Sequence, residues 1–130
     1  MIKKIAILGS TGSIGKTLLN IIANDKKNFQ IVLLTADKNH KLLLKQVKEF
    51  KVKNLIITNK KSYKFLKDKL KKNKSINVFN NYNIFNKIFK KKIYYVMSSI
   101  SGINGLSPTL KIIKYTQNIA IANKESIIIA

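Results

Sequence analysis

Six apolar runs of strand length recur along this 130-residue chain, and a stretch of helical period follows each of the first five. The runs are KKIAIL at 3–8, FQIVLLT at 29–35, KNLIIT at 53–58, INVF at 76–79, IYYVM at 93–97 and IAIA at 119–122. Within IAIL or IVLL the apolar residues are consecutive rather than alternating, the pattern of strands whose sheet is covered on both faces. The intervening segments place apolar residues at helix spacing: Ile14, Leu18, Ile21 and Ile22; Leu43, Leu44, Val47 and Phe50; Tyr63, Leu66 and Leu70; Ile84, Phe85, Ile88 and Phe89; Leu106, Leu110 and Ile113. Asn59 stands where it would cap the third helix. Pro108 stands near the start of the fifth, where a missing N–H does least harm. This alternation predicts an α/β fold, a doubly wound, Rossmann-like parallel sheet with helices on both faces in three α/β/α layers. The length suits one core and one domain, with no internal repeat and no linker; the lysine-rich KDKLKKNKS at 67–75 reads as a helix end and turn.

In such a sheet the loops after the strands share one edge, and that edge is where ligands bind. GSTGSIG at 9–15 lies there, directly behind the first strand. Gly9 falls in the tight turn, Gly12 where backbone must pass close to a ligand, and Gly15 on the first helical turn, where a missing side chain lets helix and strand approach. The N–H groups of Thr11 to Ile14 would face a pyrophosphate at the positive end of the helix, and Thr11 and Ser13 add hydroxyl donors. The spacing is G-x-x-G-x-x-G, not the commoner G-x-G-x-x-G, so a loop that only turns tightly into a helix is the competing reading. TADKN at 35–39, after the second strand, is where an acid would hold a ribose 2'-hydroxyl or a cation a 2'-phosphate. Lys38 and Asn39 suit the phosphate and Asp37 opposes it; the residues alone leave both open, beside a plain solvated turn in which Asn39 caps the next helix.

The formal net charge is +21, all 26 basic residues being lysine. Without arginine, the residue favoured for bidentate phosphate and base contacts, and with the lysines spread over nearly every helix, the charge reads as a solvated surface rather than a nucleic-acid face. No specific nucleic-acid partner is expected. There is no cysteine, hence no disulfide and no thiolate metal site. No apolar run approaches the roughly 18 residues that span a bilayer, and no leader pattern opens the chain, so neither membrane insertion nor secretion is expected.

Four segments together carry a resemblance. ILGSTGSIG at 7–15, ADKN at 36–39, SSISGINGLSPT at 98–109 and IANKES at 121–126, in this order and spacing, resemble the N-terminal nucleotide-binding domain of the 1-deoxy-D-xylulose 5-phosphate reductoisomerases. The resemblance spans essentially the whole chain. It implies an NADPH-dependent oxidoreductase and isomerase of non-mevalonate isoprenoid synthesis, which rearranges and reduces a phosphorylated sugar, 1-deoxy-D-xylulose 5-phosphate, to 2-C-methyl-D-erythritol 4-phosphate with a divalent metal, Mg or Mn. It also implies a homodimer for the complete enzyme, formed through later domains so that this piece alone is expected as a monomer, and a bacterial cytoplasmic location, or a plastid-type one after loss of a transit peptide.

Matched residue by residue, the resemblance assigns Thr11, Gly12, Ser13 and Ile14 to the cofactor pyrophosphate, within a cofactor-binding loop that also includes Gly9, Ser10 and Gly15. It assigns Ala36, Lys38 and Asn39 to the adenosine ribose and its 2'-phosphate, Ser99 and Ile100 to the nicotinamide side, and Asn123 and Glu125 to further cofactor contacts. Lys124 would reach the substrate. Asp37 departs from the small or neutral residue that pattern leads one to expect.

The chain has five acidic residues, Asp25, Asp37, Glu49, Asp68 and Glu125, and their positions predict no convergent metal site. The lone histidine, His40, reads as a helix-start residue. Neither a catalytic residue nor a metal ligand is therefore expected here. The segment SIIIA at 126–130 ends without a polar cap, which is the pattern of a domain continued by further sequence. The alternatives are a stand-alone nucleotide-sensing domain with the same pocket, and a basic nucleic-acid module, which would bind in a steeply salt-dependent way.

Overall fold

Residues 5–8 are apolar without a break, and the fold places them where burial comes from both sides. In the computed structural model, which describes residues 1–100 and 103–122, β1 (Lys3–Leu8) pairs in parallel with β2 (Phe29–Ala36) on one flank and β5 (Ile93–Ser98) on the other. Strands β3 (Asn54–Ile57) and β4 (Asn77–Phe79) extend the sheet beyond β2, and β6 (Thr116–Ile121) extends it beyond β5. The order is β4-β3-β2-β1-β5-β6 with every pairing parallel, the predicted α/β architecture. Successive connections run outward from β1 to β4, and the chain then crosses back to lay β5 against β1. The carboxyl ends of β1 and β5 therefore flank the switch point, the place where such sheets bind ligands.

Helices cover both faces. On one, α1 (Ser13–Ala23), α2 (His40–Glu49) and α3 (Lys60–Lys69) bury Leu19, Ile22, Leu43, Val47 and Leu66 against Ile5, Ile7, Leu34 and Leu55. On the other, α4 (Phe85–Ile88), a single turn, and α5 (Leu106–Ile112) bury Phe85, Phe89 and Ile112 against Ala6, Leu8, Leu33 and Val96. Asn39 and Asn59 cap α2 and α3, their side-chain oxygens accepting the N–H of Leu42 at 3.2 Å and of Ser62 at 3.1 Å. Among the described residues, no helix is long and apolar enough to cross a membrane.

A bulge in β2 decides which side chains face the site. The pairing of β1 with β2 slips by one residue between Ile5, opposite Ile31, and Ala6, opposite Leu33. Ile31, Leu34 and Ala36 then pack with the α1–α3 layer, whereas Val32 and Leu33 pack with the opposite one. An unbroken alternation would have put Ile31 and Leu33 on the same face.

Two helices are turned away from their expected apolar faces. In α1 the buried residues are Gly15, Leu19 and Ile22, while Ile14 and Ile21 are exposed. The cause is Gly15. A Cβ built there would stand 2.6 Å from Ser10 Cα and 2.7 Å from the Gly9 carbonyl oxygen, so the helix rests its backbone on the turn and its rotation is fixed by that contact. In α5 the sheet receives Pro108, Thr109 and Ile112; Leu110 and Ile113 are exposed. Here a buried hydroxyl pair, Ser98 Oγ and Thr109 Oγ1 at 2.7 Å, holds the helix to β5 and sets the face. The last strand begins at Thr116, earlier than its apolar run at 119–122. Gln117 and Asn118 are exposed and carry no hydrophobic signal, yet both belong to the strand, and Asn118 pairs with Tyr95 of β5.

The Gly15 contact has a measurable consequence. Gly15→Ala brings a methyl group against backbone that has nowhere to go, and the expected loss is about 3 kcal/mol. That loss outweighs the gain of about 1 kcal/mol from alanine's helix propensity. Urea unfolding reads it directly; an unchanged midpoint would contradict the packing described.

Candidate functional site

At the carboxyl ends of β1, β2 and β5 the chain encloses a cleft of about 500 Å3. Gly9, Thr11 and Gly12 form one wall, Ala36, Asp37 and Thr58 a second, and Ser99, Ile100, Asn104 and Pro108 a third, with Tyr82 at the floor.

The glycine turn is built from backbone contacts. Gly9 has φ +81°, a left-handed conformation, and a Cβ there would lie 3.1 Å from the Ser99 carbonyl group, so both backbone and space require glycine. The N–H of Gly9 donates to Thr35 Oγ1 at 2.9 Å, and that of Ser10 to the Thr35 carbonyl at 2.8 Å. Ser99 holds the turn from the other side: its N–H donates to the Leu8 carbonyl, and its hydroxyl shares a proton between the carbonyls of Leu8 and Gly9 at 3.0 and 3.1 Å.

Gly12 differs from its two neighbours in the motif. Its φ of −77° and ψ of 175° suit any residue. A Cβ there would meet the protein only at 3.7 Å, an ordinary contact. Nothing in the described fold needs a glycine at this position. What remains is space in front of the helix, and that space faces the start of α1, which has neither a side-chain cap nor an acid in its first turn. Among the described residues, the N–H groups of Thr11, Ser13 and Ile14 meet no acceptor. Free amides and a helix dipole together make an anion site.

Ser10, which the resemblance places among the cofactor-binding residues, is turned into the fold. It is fully buried; its hydroxyl donates to Gln46 Oε1 at 2.8 Å, and its carbonyl accepts Gln46 Nε2 at 3.0 Å. With its N–H also engaged by the Thr35 carbonyl, Ser10 anchors the turn to β2 and α2. Gln46 had a legible signal, a polar residue one position before Val47 on the apolar face of its helix. Gly15 likewise contacts the turn rather than the cleft.

Within ADKN the structure separates the roles. Ala36 and Asp37 line the cleft. Lys38 is exposed, and its carbonyl accepts the Ser62 hydroxyl at 2.8 Å. The Asn39 side chain caps α2. The Asp37 carboxylate accepts the Thr58 hydroxyl at 2.6 Å. Asn123, Lys124 and Glu125 lie outside the described residues. Among the described residues no three His, Asp or Glu side chains come together as metal ligands.

Tyr82, which carried no sequence signal, donates its phenol to Thr35 Oγ1 at 2.9 Å, so one threonine oxygen receives both the floor of the cleft and the turn of its wall. Burial pushes the Tyr82 phenol up to about 12; the hydrogen bond to Thr35 opposes the shift and the nearby Asp37 charge adds to it.

A parallel sheet with a glycine turn at its switch point and a free helix start behind it defines a Rossmann-type nucleotide-binding domain. The family model described as 1-deoxy-D-xylulose 5-phosphate reductoisomerase matches residues 5–130, and the chain belongs to that family. It is 60% identical over 128 residues to the 1-deoxy-D-xylulose 5-phosphate reductoisomerase of Pelagibacter ubique (strain HTCC1062), covering 97% of this chain and 33% of the relative. Against the enzyme of that name from Thermoanaerobacter sp. (strain X514) it is 40% identical, covering 98% and 33%. The solved reductoisomerase from Zymomonas mobilis in complex with NADPH superposes with a TM-score of 0.88 at 30% identity, over 100% of this chain and 34% of that one. A reductoisomerase in complex with NADPH, fosmidomycin and magnesium also gives 0.88, at 29% identity, over 99% and 32%. The chain thus spans about a third of the length of the relatives it matches.

The tyrosine gives the pH test. An unfolded tyrosine releases its proton near 10 and the folded Tyr82 holds it to about 12, so the stability owed to that proton is complete below pH 10 and declines as pH rises to 12. In an alkaline titration followed by tyrosinate absorbance, Tyr82→Phe should remove a component with a midpoint near 12. Loss of a component near 10 instead would mean an exposed phenol.

Proposed function

We propose that this chain is the NADPH-binding domain of a 1-deoxy-D-xylulose 5-phosphate reductoisomerase, the N-terminal part of a longer enzyme. The observation that carries the reading is Gly12, a glycine that the fold itself does not require, at the mouth of an uncapped helix. The superposition on reductoisomerases solved with NADPH supports it.

In this reading the amides of Thr11, Ser13 and Ile14 hold the pyrophosphate, with the Thr11 and Ser13 hydroxyls as further donors. Gly12 lets the phosphate oxygens approach to hydrogen-bond distance, and Gly9 and Gly15 keep the turn closed against β1 and α1. Ala36 leaves room for the adenosine ribose. Lys38 and the Asn39 amide nitrogen reach its 2'-phosphate from outside the cleft wall, Lys38 through a long exposed side chain. Ser99 and Ile100 border the nicotinamide end, where Ser99 fixes the backbone. Asn123 and Glu125 to the cofactor and Lys124 to the substrate rest on the IANKES motif. Bound NADPH supplies the hydride for reducing the rearranged sugar phosphate. The described residues do not fit a Mg or Mn site, so the divalent metal is assigned to the remainder of the enzyme. The same holds for the contacts that would form a homodimer. The bacterial relatives support a bacterial cytoplasmic location.

Calorimetric titration of the chain with NADPH at low and moderate salt tests the reading. Binding that persists in added salt is expected; equal, salt-labile binding of NADPH and unrelated polyanions would instead mark a lysine surface. Gly12→Ala should weaken NADPH binding about tenfold or more. The same variant should leave unfolding within about 0.5 kcal/mol of the parent. A variant that binds normally would remove the argument from Gly12.

A further inference from the structure

We infer that Asp37 makes the adenosine end of this cleft accept a free ribose 2'-hydroxyl, so that the domain binds NADH within about tenfold of NADPH. The inference rests on the dinucleotide-site reading and deepens it.

Three observations carry it. First, Asp37 and not Lys38 or Asn39 lines the cleft at the end of β2, the position from which an acid in this fold holds a ribose diol. Second, the carboxylate is fixed there: one oxygen accepts the Thr58 hydroxyl at 2.6 Å, while its main-chain carbonyl accepts the Asn59 N–H at 2.9 Å. The second carboxylate oxygen has no hydrogen-bond or ion-pair partner among the described residues, which leaves it free to accept from a sugar hydroxyl. Third, the groups that favour a 2'-phosphate are less committed to the cleft. Asn39 spends its side-chain oxygen on capping α2, and the exposed Lys38 ammonium makes no ion pair among the described residues. A phosphate drawn in by Lys38 meets a stationary negative charge, whereas a diol meets an acceptor. A single like charge at the mouth of a solvated cleft shifts the balance by about a decade rather than abolishing phosphate binding.

The experiment is a calorimetric titration of the chain with NADPH and with NADH, for the parent, Asp37→Ala, Asp37→Asn and Thr58→Val. The parent should show a preference for NADPH of about tenfold or less. Asp37→Ala should widen it by about tenfold or more, weakening NADH and tightening NADPH together. Asp37→Asn, which keeps the shape and removes the charge, should tighten NADPH while losing less of the NADH affinity. Thr58→Val, which frees the carboxylate to swing, should move the ratio in the same direction by less. Circular dichroism checks that each variant is folded; Asp37 is exposed, and no variant removes core volume. A parent that binds NADPH strongly and NADH hardly at all, with a ratio unmoved by Asp37→Ala and Asp37→Asn, would overturn the inference and leave the site standing. Failure of the parent to bind either dinucleotide would instead overturn the dinucleotide-site reading, and the inference with it.

Discussion

The contact of α1 with the end of β1 is the constraint from which the rest of the site follows. Gly15 rests on the backbone of Gly9 and Ser10 at distances that exclude even a methyl group. This close approach points the free amides at the start of α1 over the switch point. Thr35 fixes the turn from the side, through its carbonyl to the Ser10 N–H and its hydroxyl to the Gly9 N–H. Ser99 closes it from β5. Every one of these interactions is made by backbone or by a short hydroxyl side chain, which lose little rotamer freedom on ordering and hold position well. The geometry that a ligand meets is therefore present in the chain by itself.

Much of this architecture is legible in the sequence because apolar runs and glycine spacing report backbone directly. The six strands, the caps at Asn39 and Asn59, and the placement of Gly9 and Gly15 all follow from local rules. What local rules miss is contact between distant segments. Ile14 and Ile21 read as core positions because they are apolar at helix spacing, yet Gly15 sets the rotation and leaves them in solvent. Ser10 belongs by motif to the ligand and by structure to Gln46, 36 residues away. The bulge in β2 leaves no mark in FQIVLLT, although it separates Ile31 from Leu33 and shifts the register that continues to Thr35. Tyr82 and Thr58 reach the cleft from loops whose composition is ordinary. Asp37 and Lys38 are adjacent in sequence, and only the fold tells which of them faces inward.

The lysine-rich surface plays a different part from the core. Against 26 lysines the chain offers five carboxylates, and the described residues contain one ion pair, Lys71 with Asp68 at 3.4 Å, both side chains largely exposed. Such a pair adds little stability. Cohesion comes instead from the two apolar layers and from the parallel hydrogen-bond ladders. The positive field draws any polyphosphate toward the molecule without choosing among them. Choice must then come from groups held in place, and a fixed carboxylate in a field of mobile ammonium groups discriminates more sharply than another lysine would.

The crossing of the chain from β4 back to β5 has a consequence for how the molecule assembles. β1 is made first, and its second flank, β5, arrives only after the other strands of the outward half; Ser99 Oγ and the Leu8 carbonyl are 91 residues apart in sequence. Closing so long a loop carries an entropic cost that near-neighbour contacts do not share. The half formed by β1 to β4 and their three helices has a core of its own, lined from Ile7 to Leu66. The cleft thus draws on both halves: its glycine turn is held by Thr35 of the first, and its remaining wall is supplied by residues that follow the fifth strand.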